Sequence, residues 1–298
     1  MRLGVSVRSS FGDARAGARS MIARARAARL AGLDSLFVGD HHSRATGYLQ
    51  NSPILGRMLA EWHDRPAGAL YLLPLWNPVL VAEQVSTLAA IAPGPFVMQC
   101  AVGDGEDQFG AMGARPATRG RVFEAALPVI QALLRGETVS SETLGISSAS
   151  IGRAPESPVT VWIGGHSPAA IDRAARLGDG WIAGPELGEE EAAGLAALYL
   201  ERCEHHRSDP GVVALRRDIH VAATSQQGRS VVDEAVRRGY RGMDPAVLVH
   251  GTTDEVATRL GAFGDVGYTD VLVRHIADDH EAVMGSYERL ADVRAAIA

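Results

Sequence analysis

The sequence predicts an α/β fold, a (β/α)8 TIM barrel, and three observations point to it. Short apolar runs alternate with longer amphipathic stretches along the chain, the rhythm of repeated βα units on a parallel sheet. About eight strand and helix pairs can be counted, the number a closed barrel needs. No G-x-G-x-x-G follows the first apolar run, as a doubly wound dinucleotide-binding sheet would require. At 298 residues, 46% hydrophobic and 21% charged, the chain is read as one barrel domain over 1–298, since barrels of roughly 250 residues form one domain.

Leu3 to Val7 reads as the first strand, and an Ala/Arg-rich helix follows from about Ala18 to Ala31. Leu33 to Val38 is the second strand. Ala69 to Leu73 is the third, closed by Pro74. Asn77-Pro78 then opens a helix to about Ile91, with Asn77 as cap and Pro78 in the first turn. Phe96 to Val102 is the fourth strand, followed by a helix from about Thr118 to Leu134. The stretch 137–158 is rich in Ser, Thr and Gly without helical period and predicts an irregular excursion between barrel halves. Val159 to Ile163 restarts the rhythm, Trp181 to Ala183 is the next strand, and a long helix spans roughly Glu189 to His206. Ile219 to Ala223 and Val271 to Arg274 supply the last strands, separated by helical stretches near Val231 and Asp254.

Composition excludes several chemistries. All 29 basic residues are arginine, so the lysine of Schiff-base enzymes and of P-loop nucleotide hydrolases is missing. A formal net charge of -6 disfavours a polyanion partner and leaves small molecules. Cys100 and Cys203 have neither metal-ligand spacing nor the density of a disulfide scaffold and read as free thiols. No run reaches membrane-spanning length, and Met1 to Val7 reads as a strand without the charged, apolar and small-residue series of a secretory signal. The expected location is the cytoplasm.

The most informative stretch is the apolar run ending in Val38, which leads through Gly39 into Asp40-His41-His42. A buried strand that ends in a carboxylate and two imidazoles delivers proton-transfer groups to the sheet rim where α/β proteins bind ligands. The competing reading, of even weight, is a histidine pair that caps loop carbonyls. The fourth strand exits through Gly103-Asp104-Gly105-Glu106, a glycine-bracketed acidic turn. Trp162-Ile163-Gly164-Gly165-His166-Ser167-Pro168 pairs two glycines with a capped helix start, where free amides can take a phosphate. An ordinary strand-to-helix turn explains it too. Asp-Gly-Trp at 179–181, one helix later, shifts the balance.

Asp40-His41-His42, the stretch Asn77-Pro78 through Ala82-Glu83-Gln84 to Thr87-Leu88, Trp162 to Gly165, and Ala174 to Trp181 together resemble the luciferase-like monooxygenase superfamily. Gly251 to Val256 looks like that family's last helix start. The resemblance implies a TIM barrel with a reduced flavin, FMN or the deazaflavin coenzyme F420, at the C-terminal ends of its strands. It implies catalytic roles for His41, Asp40 and Glu106, with Asp40 orienting His41 as a proton donor. Leu70 and Tyr71 fall where the family places a bulge behind the ring. Gly105, Gly164, Gly165, His166, Ser167, Ala183 and Gly184 are the remaining cofactor candidates, the last six on the phosphate side. The implied activity is hydride transfer or monooxygenation of a small organic substrate. The implied partners are a second copy of the chain, as a homodimer, and a separate flavin or F420 reductase.

Two rival readings remain. Asp40, His41 and His42 would be ligands in a metal-dependent barrel hydrolase, but adjacent histidines on extended backbone point apart and do not easily reach one ion. The other is a barrel that binds flavin without turnover, against which the presence of Asp40, His41 and Glu106 argues. Cys100 reads as a packed thiol, His205-His206 as support for a helix end, and Tyr48, Trp62 and Trp76 as core or rim packing or substrate stacking.

Overall fold

Strands and helices alternate from the first residues of the computed structural model, which describes residues 1–298. In chain order they are β1 (Arg2–Val7), α1 (Ala14–Leu30), β2 (Leu36–Val38), α2 (Asn51–Met58), β3 (Ala67–Leu72), α3 (Pro78–Ile91), β4 (Phe96–Ala101), α4 (Glu106–Ala111) and α5 (Arg119–Leu134). There follow β5 (Val139–Ser141), β6 (Ile146–Ala149), β7 (Thr160–Gly164), α6 (Pro168–Leu177), β8 (Gly180–Ala183), α7 (Glu189–His206), β9 (Val212–Val221), α8 (Ser225–Arg237), β10 (Val249–Gly251), α9 (Thr253–Asp265), β11 (Asp270–His275) and α10 (His280–Ile297). The main sheet runs β10-β9-β11-β1-β2-β3-β4-β7-β8, and β8 pairs again with β9. Eight strands therefore close on themselves as the (β/α)8 barrel the rhythm predicts, with β10 added at β9.

The elements group into two sets, one of residues 1–8, 20–37 and 162–298, the other of residues 9–19 and 38–161. In the second set β3 and β4 pair in parallel without a shift, from Ala67 opposite Phe96 to Leu72 opposite Ala101. On the β4 side, Leu70 and Tyr71 stand in regular register opposite Gln99 and Cys100. Tyr71 is fully buried, with its hydroxyl 3.0 Å from Ser52 Oγ, and Asn51 Nδ2 donates to the Leu70 carbonyl at 2.7 Å. Two residues of α2 thus tie that helix to the third strand. Asn77 Oδ1 accepts from Val79 N at 2.9 Å, so α3 starts where its cap and Pro78 say it should. Phe123, Leu127 and Ile130 of α5 recur at helical spacing and are fully buried.

The excursion is less irregular than its composition suggests. β5 and β6 form a small antiparallel hairpin, turned by Gly145 at φ 64°. Its strands are too short for alternation to register against a Ser/Thr-rich background.

In the first set β7, β8, β9, β11 and β1 pair in parallel. Trp181 of β8 is fully buried between Tyr199 of α7 and Tyr268, with ring centroids 5.5 and 6.1 Å away. α9 opens on a capping box in which Thr252 and Glu255 satisfy each other's backbone amides. Bidentate Arg294 and the Leu3 amide hold Asp34, tying α10 to the first strand. Unlike the expectation, β9 begins at Val212 rather than Ile219. Arg216, Arg217 and Asp218 interrupt the apolar pattern without interrupting the strand. No helix is long and apolar enough to cross a membrane.

Candidate functional site

β2 is three fully buried residues, and the chain leaves it through Gly39 into Asp40. The Asp40 side chain is wholly buried. Its Oδ2 accepts from the Leu72 amide at 2.8 Å and from Trp76 Nε1 at 2.7 Å. The carboxylate therefore stitches the exit of β2 to the exit of β3. Its other oxygen lies 3.3 Å from His42 Nε2, in contact but outside hydrogen-bond geometry. The His42 ring packs edge-on against Trp76 with centroids 5.2 Å apart. This corrects the expectation that Asp40 orients His41: the carboxylate partners are Trp76, Leu72 and His42.

His41 is left half-buried at the surface of this cluster, its ring edge-on to Tyr48 at 5.8 Å. Burial and, after it, the Arg44 charge push its pKa below the ordinary imidazole value, while Asp104 and Asp40 pull weakly the other way. At neutral pH the ring is neutral and able to accept a proton. The expected imidazolium is not the resting form, because burial and Arg44 disfavour the charged ring more than Asp104 and Asp40 favour it.

Gln108 joins the β2 and β4 exits. Its Oε1 accepts from the His42 amide at 2.8 Å and its Nε2 donates to the Asp104 carbonyl at 2.9 Å, both from a buried side chain. Gly103 and Gly105, at φ 73° and 85°, permit the turn between them. Glu106 is exposed in the first turn of α4, a short helix the acidic turn had not predicted. The sequence pattern reached Asp40, His41, His42 and Glu106 but missed Gln108 and the role of Trp76. The only signal for Gln108 was a polar residue two places beyond Glu106, just after the glycine-bracketed turn.

Gly164, Gly165, His166 and Ser167 lie where β7 gives way to α6, with Gly164 and Gly165 half-buried and His166 and Ser167 exposed. Gly165 sits at φ 144°, and a Cβ there would come 2.6 Å from the Ala170 methyl. Its carbonyl accepts from Trp181 Nε1 at 2.7 Å, which explains the coupling between the glycine pair and Asp-Gly-Trp. Ser167 Oγ accepts from Ala170 N at 3.2 Å and caps α6. At the end of β8, Ala183 is buried and Gly184 half-buried. His166 Nδ1 is 3.3 Å from Glu186 Oε1, so a carboxylate stands on this side.

Residues 1–265 match the family model of the luciferase-like monooxygenases. The chain belongs to that family. An F420-dependent glucose-6-phosphate dehydrogenase of Beutenbergia cavernae is 33% identical over 184 residues, 58% of this chain and 54% of that protein. The chain spans about half the length of that curated relative. A protein of the same name from Microbacterium testaceum is 25% identical over 292 residues, 86% of this chain and 87% of that protein. Among solved structures, the monooxygenase RslO1 from Streptomyces bottropensis superposes with a TM-score of 0.86 at 18% identity, covering 98% of both chains. An F420-dependent secondary alcohol dehydrogenase in complex with an F420-acetone adduct gives 0.81 at 16% identity, covering 100% of this chain and 99% of that one. The likeness to these structures shows the luciferase-like barrel fold.

Proposed function

We propose that this luciferase-like protein is an oxidoreductase that uses coenzyme F420 in hydride transfer with a small hydroxyl or carbonyl substrate. The observation that carries the reading is His41: a half-buried imidazole with a lowered pKa, standing beside a carboxylate locked by Trp76 and the Leu72 amide. The relatives in sequence named as F420-dependent dehydrogenases support the choice of cofactor.

The residues present fit such a group. Asp40 Oδ1 and His42 Nε2 are buried polar atoms without hydrogen-bond partners. Where β7 ends, two side-chain-free residues leave backbone open to close approach. Gly164, Gly165, His166 and Ser167, with Ala183 and Gly184, would hold the phosphate side. Leu70, Tyr71 and Gly105 would border the ring side. When bound, a deazaflavin supplies a two-electron hydride acceptor or donor.

The protein's part is proton handling and orientation. Neutral His41 takes the hydroxyl proton as the substrate C–H bond is broken, and returns it in the reverse direction. Asp40 acts by position in this scheme. It fixes the backbone that carries His41 through Leu72 and Trp76, while Gln108 fixes the adjoining loop. Glu106, at the start of α4, is the second acid/base group. Homodimerisation and, for the carbonyl-reducing direction, a separate reductase that supplies the reduced cofactor complete the proposal.

The test is a titration of the purified protein with F420 and with FMN, read by fluorescence, followed by F420 reduction on a panel of secondary alcohols and sugar phosphates. Saturable F420 binding and loss of its absorbance with at least one substrate are expected. Binding of FMN alone moves the protein to the flavin monooxygenase branch. Binding of neither overturns the reading.

A further inference from the structure

Side chains alternate between the two faces of a strand, and two contacts identify the faces of β9 and β11. Arg217 lays its guanidinium 4.5 Å over the Phe263 ring of α9, and His275 lies 3.1 Å from Ser286 Oγ of α10. Those residues face the helices. Arg216, Asp218 and Arg274 therefore project from the opposite face, where strands of such a barrel usually carry branched apolar side chains. Arg274 and Asp218 are direct neighbours in the strand register.

The segment after α8 adds two more groups. Tyr240 donates to Asp218 Oδ2 at 2.8 Å, and Arg241 Nη1 donates to the same oxygen at 3.2 Å. Arg216 Nε stands 3.6 Å from Asp218 Oδ1, too far for a hydrogen bond. Three guanidinium groups thus share one carboxylate. Arg216 Nε and Nη2, Arg274 Nε and Asp218 Oδ1 are buried without hydrogen-bond partners. Burial pushes the Arg216 guanidinium down to about 10; Asp218 opposes this and Arg274 and Arg241 add to it. Burial alone would raise the Asp218 carboxyl, but Arg216, Arg274 and Arg241 together hold it below its ordinary value. Arg8, just beyond β1, has its own carboxylate in Asp278 and adds a further positive charge nearby.

Leaving buried guanidinium nitrogens unmatched costs stability, and a fork of such donors matches the oxygens of phosphate or carboxylate. The two positive charges in excess call for a dianion. We infer that Arg216, Arg241 and Arg274 form a subsite for a dianionic oxyanion of the substrate, a phosphate monoester being the simplest group that fits. Only the word substrate rests on the oxidoreductase reading; the binding is measured without any cofactor.

The probe is inorganic phosphate, added to the cofactor-free protein and read by calorimetry and by thermal shift against sodium chloride of equal ionic strength. Wild type should bind phosphate saturably and gain melting temperature that chloride does not give. Arg274→Gln should weaken phosphate about tenfold or more, the effect of one charged hydrogen bond. Arg241→Gln, on the covering segment and partly exposed, should do the same if Arg274→Gln does not fold. Absence of saturable binding to wild type, or equal affinity in the variants, overturns the subsite. Phosphate that displaces F420 or FMN from wild type overturns its assignment to the substrate.

Discussion

Asp40 offers the sharpest quantitative prediction, because its roles as charge and as acceptor can be separated. In Asp40→Ala, the buried Leu72 N–H and Trp76 Nε1–H lose their shared acceptor. Each stranded donor costs roughly 1–3 kcal/mol, for a total of about 3–5 kcal/mol. In Asp40→Asn a carbonyl oxygen can replace Oδ2 and keep both donors. The new amide faces His42 Nε2, which lies 3.3 Å from Oδ1 in the native side chain. Only the charge-assisted part of the bonds is lost, about 1–2 kcal/mol. Urea unfolding of the three proteins, extrapolated linearly at a common m-value, reads the difference directly. A gap of about 2 kcal/mol between the variants is expected, with Asn the milder. Equal losses would refute the claim that Asp40 is an acceptor binding the β2 and β3 exits together.

Replacing His41 with Gln should lower turnover about 10²-fold. Wild-type kcat/KM should fall below pH 6.5 as the ring protonates at its lowered pKa, and this acid limb should vanish in His41→Gln. Gln108→Ala leaves the His42 amide without its acceptor; a stability loss of about 1–3 kcal/mol is expected by urea unfolding, together with a higher cofactor dissociation constant. His275 is fully buried, and burial, with Arg24 and His220 adding to it, holds its pKa at about 3, so it stays neutral while the unfolded chain takes up a proton below pH 6.5. Stability is therefore complete above pH 6.5 and declines as the pH falls toward 3. At pH 4.5 the loss from this residue is about 2–3 kcal/mol, and the difference in stability-versus-pH slope between wild type and His275→Gln measures it.

How far the fold was legible depended on local chemistry. The limits of α3 and α7 could be read because Asn77-Pro78 and the run Glu189 to Glu191 mark their starts unambiguously. The early part of β9 was hidden by Arg216, Arg217 and Asp218, which look like a loop until both faces of the strand are seen to hold charge. α2 went unread because its Asn-Ser-Pro opening also suits a turn. In the site, strand position exposed Asp40, His41 and Glu106. The partners of Asp40 could not be read, since Trp76 lies 36 residues away and only closure of adjacent strand exits brings the indole to the carboxylate. Position in a motif suggested an Asp40–His41 pair, whereas competition for acceptors gave Asp40 to Trp76, Leu72 and His42.

The central proposal is that this chain holds a deazaflavin, with the glycine bend after β7 on its phosphate side. Fluorescence titration of F420 against wild type, Gly165→Val and His41→Gln tests it most directly. Saturable binding by wild type and His41→Gln, with loss of binding in a folded Gly165→Val protein, is the expected result. F420 bound equally well by all three, or by none, would contradict it.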